Sequence, residues 1–108
     1  MSTLIEPVLF PTFLKLAGRP VLVVGGGRMA AAKLPALAEA GALVTVVAPD
    51  VRPEIEAANV TVRRRGFAAD DLDGAWFVVA AATPEVNEQV ARVAEERRVF
   101  VNAVDDPP

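Results

Sequence analysis

The sequence of 108 residues predicts a single α/β domain built on a parallel sheet, and two patterns carry this prediction. Four apolar runs of strand length, each bounded by turn residues, occupy positions 21–24, 43–48, 76–81 and 99–104. Runs this continuous are typical of strands that are covered on both faces. Helix-forming stretches separate the runs, and such alternation is typical of right-handed, doubly wound folds.

The elements follow in order along the chain. Residues 10–16 (FPTFLKL) alternate apolar and other side chains and predict a short strand, which a turn at 17–20 ends. Residues 29–40 predict a helix that stops at Gly41, with a kink at Pro35. Residues 51–58 predict a short helix and 60–62 a fifth, short strand. Thr83 is expected to cap a helix that begins with Pro84 and runs to about Arg98.

Composition excludes several kinds of chemistry. The chain lacks cysteine, histidine and tyrosine, so any acid–base step or metal contact falls mainly to Asp, Glu, Lys, Asn or water, and no residue is assigned to a metal. A net charge of −3 does not favour nucleic-acid binding.

No run can span a membrane and no secretion signal is evident, so a cytoplasmic location is expected. The basic run at 63–65 is either a solvated strand end or a contact for an anionic ligand.

A glycine-rich turn follows the first predicted strand. Gly25, Gly27 and Ala30 occupy the fixed places of G-x-G-x-x-A at a strand-to-helix junction. In that pattern the small residues allow a tight turn, a close approach to a pyrophosphate and close helix packing, while the helix N-terminus offers free amides. The turn therefore predicts a Rossmann-like dinucleotide site, with a purely structural glycine turn as the alternative. The contacts expected there are Gly25, Gly26, Gly27, Arg28 and Met29.

Two further strand ends are expected to meet the same ligand. Asp50 follows Pro49 after the second long strand, where it either contacts a ribose or caps the following helix. NAD is modestly favoured over NADP, although Arg52 is close enough to serve a 2′-phosphate. Small residues end the next strand, and Ala82 and Thr83 are expected to border the cofactor.

The last predicted strand delivers polar residues to the same edge of the sheet. Asn102 is followed by the acidic pair Asp105 and Asp106. In a chain without histidine, a carboxylate at this edge is the best available general base or metal-facing group. An ordinary polar turn before Pro107 is the alternative.

Four ordered blocks together carry a family resemblance. They are FPTFLKLAGRPVLVVGGG (10–27), EAGALVTVVAP (39–49), DLDGAWFVVAAAT (71–83) and RRVFVNAVDDP (97–107). The chain resembles the N-terminal domain of siroheme synthase and the related stand-alone precorrin-2 dehydrogenases. This resemblance implies NAD-dependent oxidation of precorrin-2 to sirohydrochlorin in siroheme biosynthesis, and ferrous iron insertion in several members. It also implies that Asp105 is the catalytic residue, and that NAD contacts residues 25–29, Pro49, Asp50, Ala82 and Thr83.

The chain also departs from the family pattern. The residues that differ from those common in the family are Arg28, Met29, Ala32 and Pro35, and these differences concern the geometry of the phosphate turn rather than the fold.

Residues 1–108 correspond to the NAD-binding Rossmann domain. The dimerisation and helical C-terminal regions that build much of the family's tetrapyrrole pocket do not follow within this sequence. A homodimer is thus expected only with those regions. The competing hypotheses are a non-catalytic NAD-binding module, truncated or regulatory, and a Rossmann-like domain whose turn holds no ligand.

Overall fold

A computed structural model describes residues 9–103 and contains one five-stranded sheet in the order β3-β2-β1-β4-β5, with every neighbouring pair parallel. The strands are β1 (Pro20–Val24), β2 (Leu43–Val47), β3 (Thr61–Arg63), β4 (Phe77–Ala80) and β5 (Phe100–Ala103). The helices are α1 (Arg28–Glu39), α2 (Pro53–Glu56) and α3 (Pro84–Arg97), and a 3₁₀ turn spans Ala69–Leu72. This confirms the predicted Rossmann-like, doubly wound α/β domain of about five strands.

The central position of β1 explains its composition. It pairs with β2 on one side and β4 on the other, and Val21 to Val24 are each at most 2% exposed. One core cluster, which includes Leu34 and Leu37 of α1, covers one face of the sheet. A second cluster, with Val90 and Ala94 of α3, covers the other face. Because both faces of the central strands are covered, their side chains need no polar alternation.

Helix α1 ends through a backbone motif that depends on glycine. The Ala42 amide donates to the Leu37 carbonyl at 3.1 Å, and the Gly41 amide donates to the Ala38 carbonyl at 3.0 Å. Gly41 has a φ of 77°, which a residue without a Cβ adopts at little cost. The predicted stop at Gly41 is therefore correct. Pro35 lies inside α1, which continues beyond it to Glu39.

Helix α3 begins and ends close to the predicted positions. The Thr83 hydroxyl accepts a hydrogen bond from the Val86 amide at 3.3 Å, and Pro84 is the first helical residue. At the other end Arg98 has a φ of 57°, in the left-handed region where glycine is usual. The Val99 amide then donates to the Ala94 carbonyl at 2.9 Å and ends the helix.

Two local predictions are wrong. Residues 10–16 form no strand, because alternation of side chains does not by itself supply a strand to pair with; they lead through a turn at 17–18 into β1. Leu16 is buried in the core instead, whereas Phe10 and Phe13 are fully exposed. The helix predicted over 51–58 is only Pro53–Glu56 with Arg52 as its N-cap, so Asp50 does not cap it. Proline strongly favours the first helical position, which moves the start beyond Val51.

Among residues 9–103, no helix has both the length and the apolar character needed to cross a membrane.

Candidate dinucleotide-binding site

The turn between β1 and α1 is held by backbone hydrogen bonds from three directions. The Gly25 amide donates to the Val47 carbonyl of β2 at 3.0 Å, and the Val24 carbonyl accepts from the Ala81 amide at 2.8 Å. The Gly26 carbonyl accepts from the Arg52 amide at 2.8 Å. The turn is therefore fixed by the residues that follow β2 and β4 before any ligand is considered.

Gly25 is required by the fold itself. Its φ of 129° lies in a region that L-residues rarely adopt. A Cβ at this position would lie 2.3 Å from the Ala81 carbonyl oxygen. A side chain there would push the end of β4 away from β1, so Gly25 brings the two strand ends together.

Gly26 is also required by the fold, which the motif did not predict. A Cβ at Gly26 would lie 1.9 Å from the Asp50 carbonyl oxygen and 2.9 Å from the Val51 Cα. The sequence pattern leaves this middle position free. The structure shows that it faces the backbone of the chain segment after β2.

Gly27 differs from both, because a Cβ added to it would meet nothing within 4 Å. It is the N-cap of α1, and having no side chain it supplies no capping oxygen. The first bond along the helix runs from the Ala31 amide to the Gly27 carbonyl at 3.0 Å, so the amides of Arg28, Met29 and Ala30 precede it. These donors and the open space beside Gly27 fit a phosphate group.

Ala30, Met29 and Arg28 occupy three different environments. Ala30 is fully buried in the core beneath α1, which agrees with the packing role of the motif's last small residue. Met29 is half-buried and packs against the same core, whereas Arg28 is exposed at the mouth of the turn. Of the two, only Arg28 thus presents its side chain to solvent near the proposed phosphates.

The segment after β4 is held by a side chain that the sequence analysis missed. The Ala82 amide donates to the Asn87 Oδ1 at 2.8 Å, and the Asn87 Nδ2 donates to the Ala82 carbonyl at 3.4 Å. Thr83 caps α3, and both Ala82 and Thr83 are exposed. Asn87 thereby fixes the backbone of this edge. The signal was an asparagine four residues after the capping threonine, one helical turn along.

The segment after β2 brings Pro49 and Asp50 to the glycine turn. Both residues are exposed, and the Asp50 carbonyl packs against Gly26. Since Asp50 is not a helix cap, its carboxylate is available for a ribose hydroxyl, although the ribose contact itself is a prediction.

Of the polar residues expected at this edge, Asn102 lies in β5, and the acidic pair comes after β5 in the sequence. Asn102 is exposed and pairs in register with Val79 of β4, while Ala103 pairs with Ala80. The carboxyl ends of β4 and β5 are therefore level. Asp105 and Asp106 lie outside the described residues, so the assignment of Asp105 stays a prediction.

The basic run at 63–65 is paired with carboxylates. Asp71, whose side chain is 1% exposed, accepts hydrogen bonds from Arg63 at 3.2 Å and from Arg65 at 2.6 Å, while Arg64 pairs with Glu56. Burial alone raises the pKa of the Asp71 carboxyl, but hydrogen bonds from Arg65 and the Ala68 amide, with the Arg65 charge, outweigh it and lower that pKa. The pairing favours the solvated strand end over an anion contact.

Other features of the described residues are separate from the glycine turn. A cavity of about 210 Å³ opens beside Pro20 and Gly74, and because Pro20 begins β1 this cavity is at the opposite end of the strand from Gly25. Within residues 9–103, no group of three or more His, Cys, Asp or Glu side chains is arranged to hold a metal ion.

The sheet order, the glycine turn at its centre and the open helix N-terminus define a dinucleotide-binding domain of the Rossmann type. Residues 12–108 match the model of the family described as "Putative NAD(P)-binding", and the chain belongs to that family.

Curated relatives and a solved structure agree with this classification. The chain is 43% identical over 102 residues to siroheme synthase 1 of Aeromonas hydrophila subsp. hydrophila. It is 45% identical over 102 residues to the siroheme synthase of Methylobacillus flagellatus. Each match covers 90% of this chain but only 22% of the relative. The solved structure of SirC, described as a precorrin-2 dehydrogenase, superposes with a TM-score of 0.78 at 30% identity, covering 93% of this chain and 51% of that one.

Proposed function

We propose that this domain binds NAD for the dehydrogenation of precorrin-2 to sirohydrochlorin, a step of siroheme biosynthesis. The observation that carries the proposal is the difference among the three glycines: Gly25 and Gly26 are enclosed by protein backbone, whereas Gly27 faces open space. A turn that served the fold alone would not need a glycine at the open position. The siroheme synthase relatives and SirC support the choice of reaction.

The proposed binding residues lie at successive strand ends along the carboxyl edge of the sheet, and each group is assigned to a different part of the cofactor. The amides of Arg28 and Met29, with Gly27, would hold the pyrophosphate, and Asp50 beside Pro49 would accept hydrogen bonds from the ribose. Ala82 and Thr83 would border the nicotinamide side, where their small size leaves room. This orientation follows from the topology, because ligands of such folds cross the sheet where the strand order reverses, here between β1 and β4.

The chemical step needs a group that takes a proton from the macrocycle. NAD, when bound, supplies the acceptor for the hydride that leaves the tetrapyrrole. We assign the proton to the carboxylate of Asp105, which comes two residues after β5 in the sequence. Strand β5 itself neighbours β4, on the proposed nicotinamide side of the switch point. In this proposal the tetrapyrrole pocket and a homodimer involve segments beyond this domain, since the chain spans 22% of the siroheme synthases.

Cofactor binding is tested by calorimetric titration with NAD. Gly27→Ala is expected to weaken NAD binding about tenfold or more, because its methyl group displaces a phosphate that accepts charge-assisted amide hydrogen bonds. Gly66→Ala is the matched control, since a Cβ there also meets nothing within 4 Å and Gly66 follows β3, two strands away from β1. Absence of NAD binding at millimolar concentration would instead favour a turn that holds no ligand.

Turnover is tested by NADH formation from precorrin-2 and NAD. Asp105→Asn is expected to lower kcat by about 100-fold or more, the usual contribution of general acid–base catalysis, with the dissociation constant for NAD unchanged. Asp106→Asn is the matched control and should retain the rate. A full rate in Asp105→Asn would refute the assigned role. NAD binding without turnover in the full-length protein would support the non-catalytic module.

A further inference from the structure

The arginines at the carboxyl edge of β2 and β3 are all paired with acids. This edge holds the adenosine half of the cofactor in the proposed function, on which the inference below rests. The pairs are Arg52 with Glu54, Arg63 and Arg65 with Asp71, and Arg64 with Glu56. A 2′-phosphate on the ribose would bring a further negative charge to this edge, and arginine is the usual residue that accepts it. The pairing therefore bears directly on the choice between NAD and NADP.

Arg52 is the arginine of this set that is tied to the glycine turn. Its amide donates to the Gly26 carbonyl at 2.8 Å, and it lies two residues beyond Asp50, the proposed ribose contact. Its guanidinium Nε donates to the Glu54 Oε2 at 3.0 Å. The backbone hydrogen bond fixes the main chain of Arg52 beside the turn, and Glu54 holds the guanidinium group of its side chain.

Glu54 places a full negative charge next to the Arg52 guanidinium. Its backbone hydrogen bond, followed by the hydrogen bond from Arg52, lowers the pKa of its carboxyl, so that the group is ionised at neutral pH. The two side chains are about half exposed, at 48% for Arg52 and 57% for Glu54. A pair this exposed contributes little to folding, so that changing either residue can alter charge without altering the fold.

We infer that Glu54 is a specificity-determining residue that disfavours NADP, because it occupies the guanidinium of Arg52 and opposes a 2′-phosphate. NAD carries hydroxyls at this position and is little affected by the pair. Removal of the Glu54 charge frees the Arg52 guanidinium from its ion-pair partner, two residues from Asp50, the proposed ribose contact. In that variant Arg52 would be the residue that recognises the 2′-phosphate of NADP.

The test compares the dissociation constants for NAD and NADP by calorimetry in wild type, Glu54→Gln, Arg52→Gln and the double variant. Glu54→Gln is expected to tighten NADP binding about two- to fivefold, a range that reflects a half-exposed ion pair, and to change NAD binding less than twofold. The gain is expected to disappear in the double variant and to shrink as salt is raised. Glu56→Gln is the matched control, because Glu56 lies in the same helix but pairs with Arg64.

The possible outcomes distinguish failure of the inference from failure of the proposed function. NAD binding with an unchanged NAD-to-NADP ratio in Glu54→Gln, or an equal change in Glu56→Gln, overturns the inference alone. A wild type that binds neither dinucleotide overturns both. A wild type that already prefers NADP also overturns the inference, while leaving a nicotinamide cofactor in place.

Discussion

Replacement of Gly26 by alanine is expected to destabilise the fold strongly, although the motif treats this position as variable. The added Cβ would lie 1.9 Å from the Asp50 carbonyl oxygen, whereas ordinary contacts begin at 3.4 Å, so the two backbone segments must separate by about 1.5 Å. Overpacking of this kind costs about 1–3 kcal/mol. Loss of the hydrogen bond between the Arg52 amide and the Gly26 carbonyl adds about 1 kcal/mol.

The lower conformational entropy of the unfolded alanine chain offsets about 0.4–1 kcal/mol of this cost, so that the free energy of unfolding should fall by about 1–3.5 kcal/mol. For a domain of this size the decrease corresponds to a Tm lower by about 5–25 °C. The assay is urea denaturation followed by the fluorescence of Trp76, the only tryptophan of the sequence.

Gly27→Ala is the internal comparison, because its Cβ meets nothing within 4 Å. Its free energy of unfolding should stay within about 1 kcal/mol of wild type, the usual cost of alanine at an N-cap. If Gly26→Ala unfolds at the wild-type urea concentration with the same m value, then the close approach of Asp50 to the turn does not constrain the protein and the reasoning fails.

Two further predictions concern charge and backbone conformation. Asp71→Asn should lower the free energy of unfolding by about 2–4 kcal/mol, since the buried carboxylate accepts charge-assisted bonds from Arg63 and Arg65; equal urea midpoints would contradict this. Because the folded pKa of Asp71 lies below its unfolded value of about 3.9, this stabilisation is complete above that pH and is lost as pH falls through the folded pKa. The two unfolding curves should therefore converge in acid. Arg98→Gly should raise the free energy of unfolding by about 0.5–1 kcal/mol in thermal denaturation, since Arg98 has a φ of 57°; an unchanged or lower Tm would show that its side chain compensates the strain.

The order of elements was predictable because it depends on local patterns. The apolar runs that formed β1, β2, β4 and β5 were placed within one residue of every observed strand end, and Thr83 with Pro84 marked the start of α3. The segment at 10–16 shows the limit of that reasoning, because alternation is a local pattern that does not specify a strand partner. Of the two leucines in this segment, Leu16 is buried in the core and Leu14 packs against it, and the segment forms no strand.

The candidate site was predictable in its residue types but not in its contacts. The role of Gly26 depends on Asp50, 24 positions later, and nothing local in the sequence indicates that their backbones meet. The same holds for Asp71. In the sequence it is one of several nearby acidic residues, and only the structure shows that it is buried and paired with two arginines. Such contacts are decided by strand register and loop path, and only the structure supplies these.

The two halves of the proposed site differ in how far they can change without loss of the fold. On the β4 side Gly25 and Ala81 meet through their backbones, and any side chain at Gly25 would part the strands. On the β2 side the half-exposed pair of Arg52 and Glu54 adds charge but little packing. Exposed pairs of this kind are worth at most about 1 kcal/mol to folding, so cofactor preference can shift through Glu54 while the phosphate turn stays intact. The turn proposed to bind either dinucleotide and the residue proposed to choose between them, Glu54, are therefore expected to be separable by mutation.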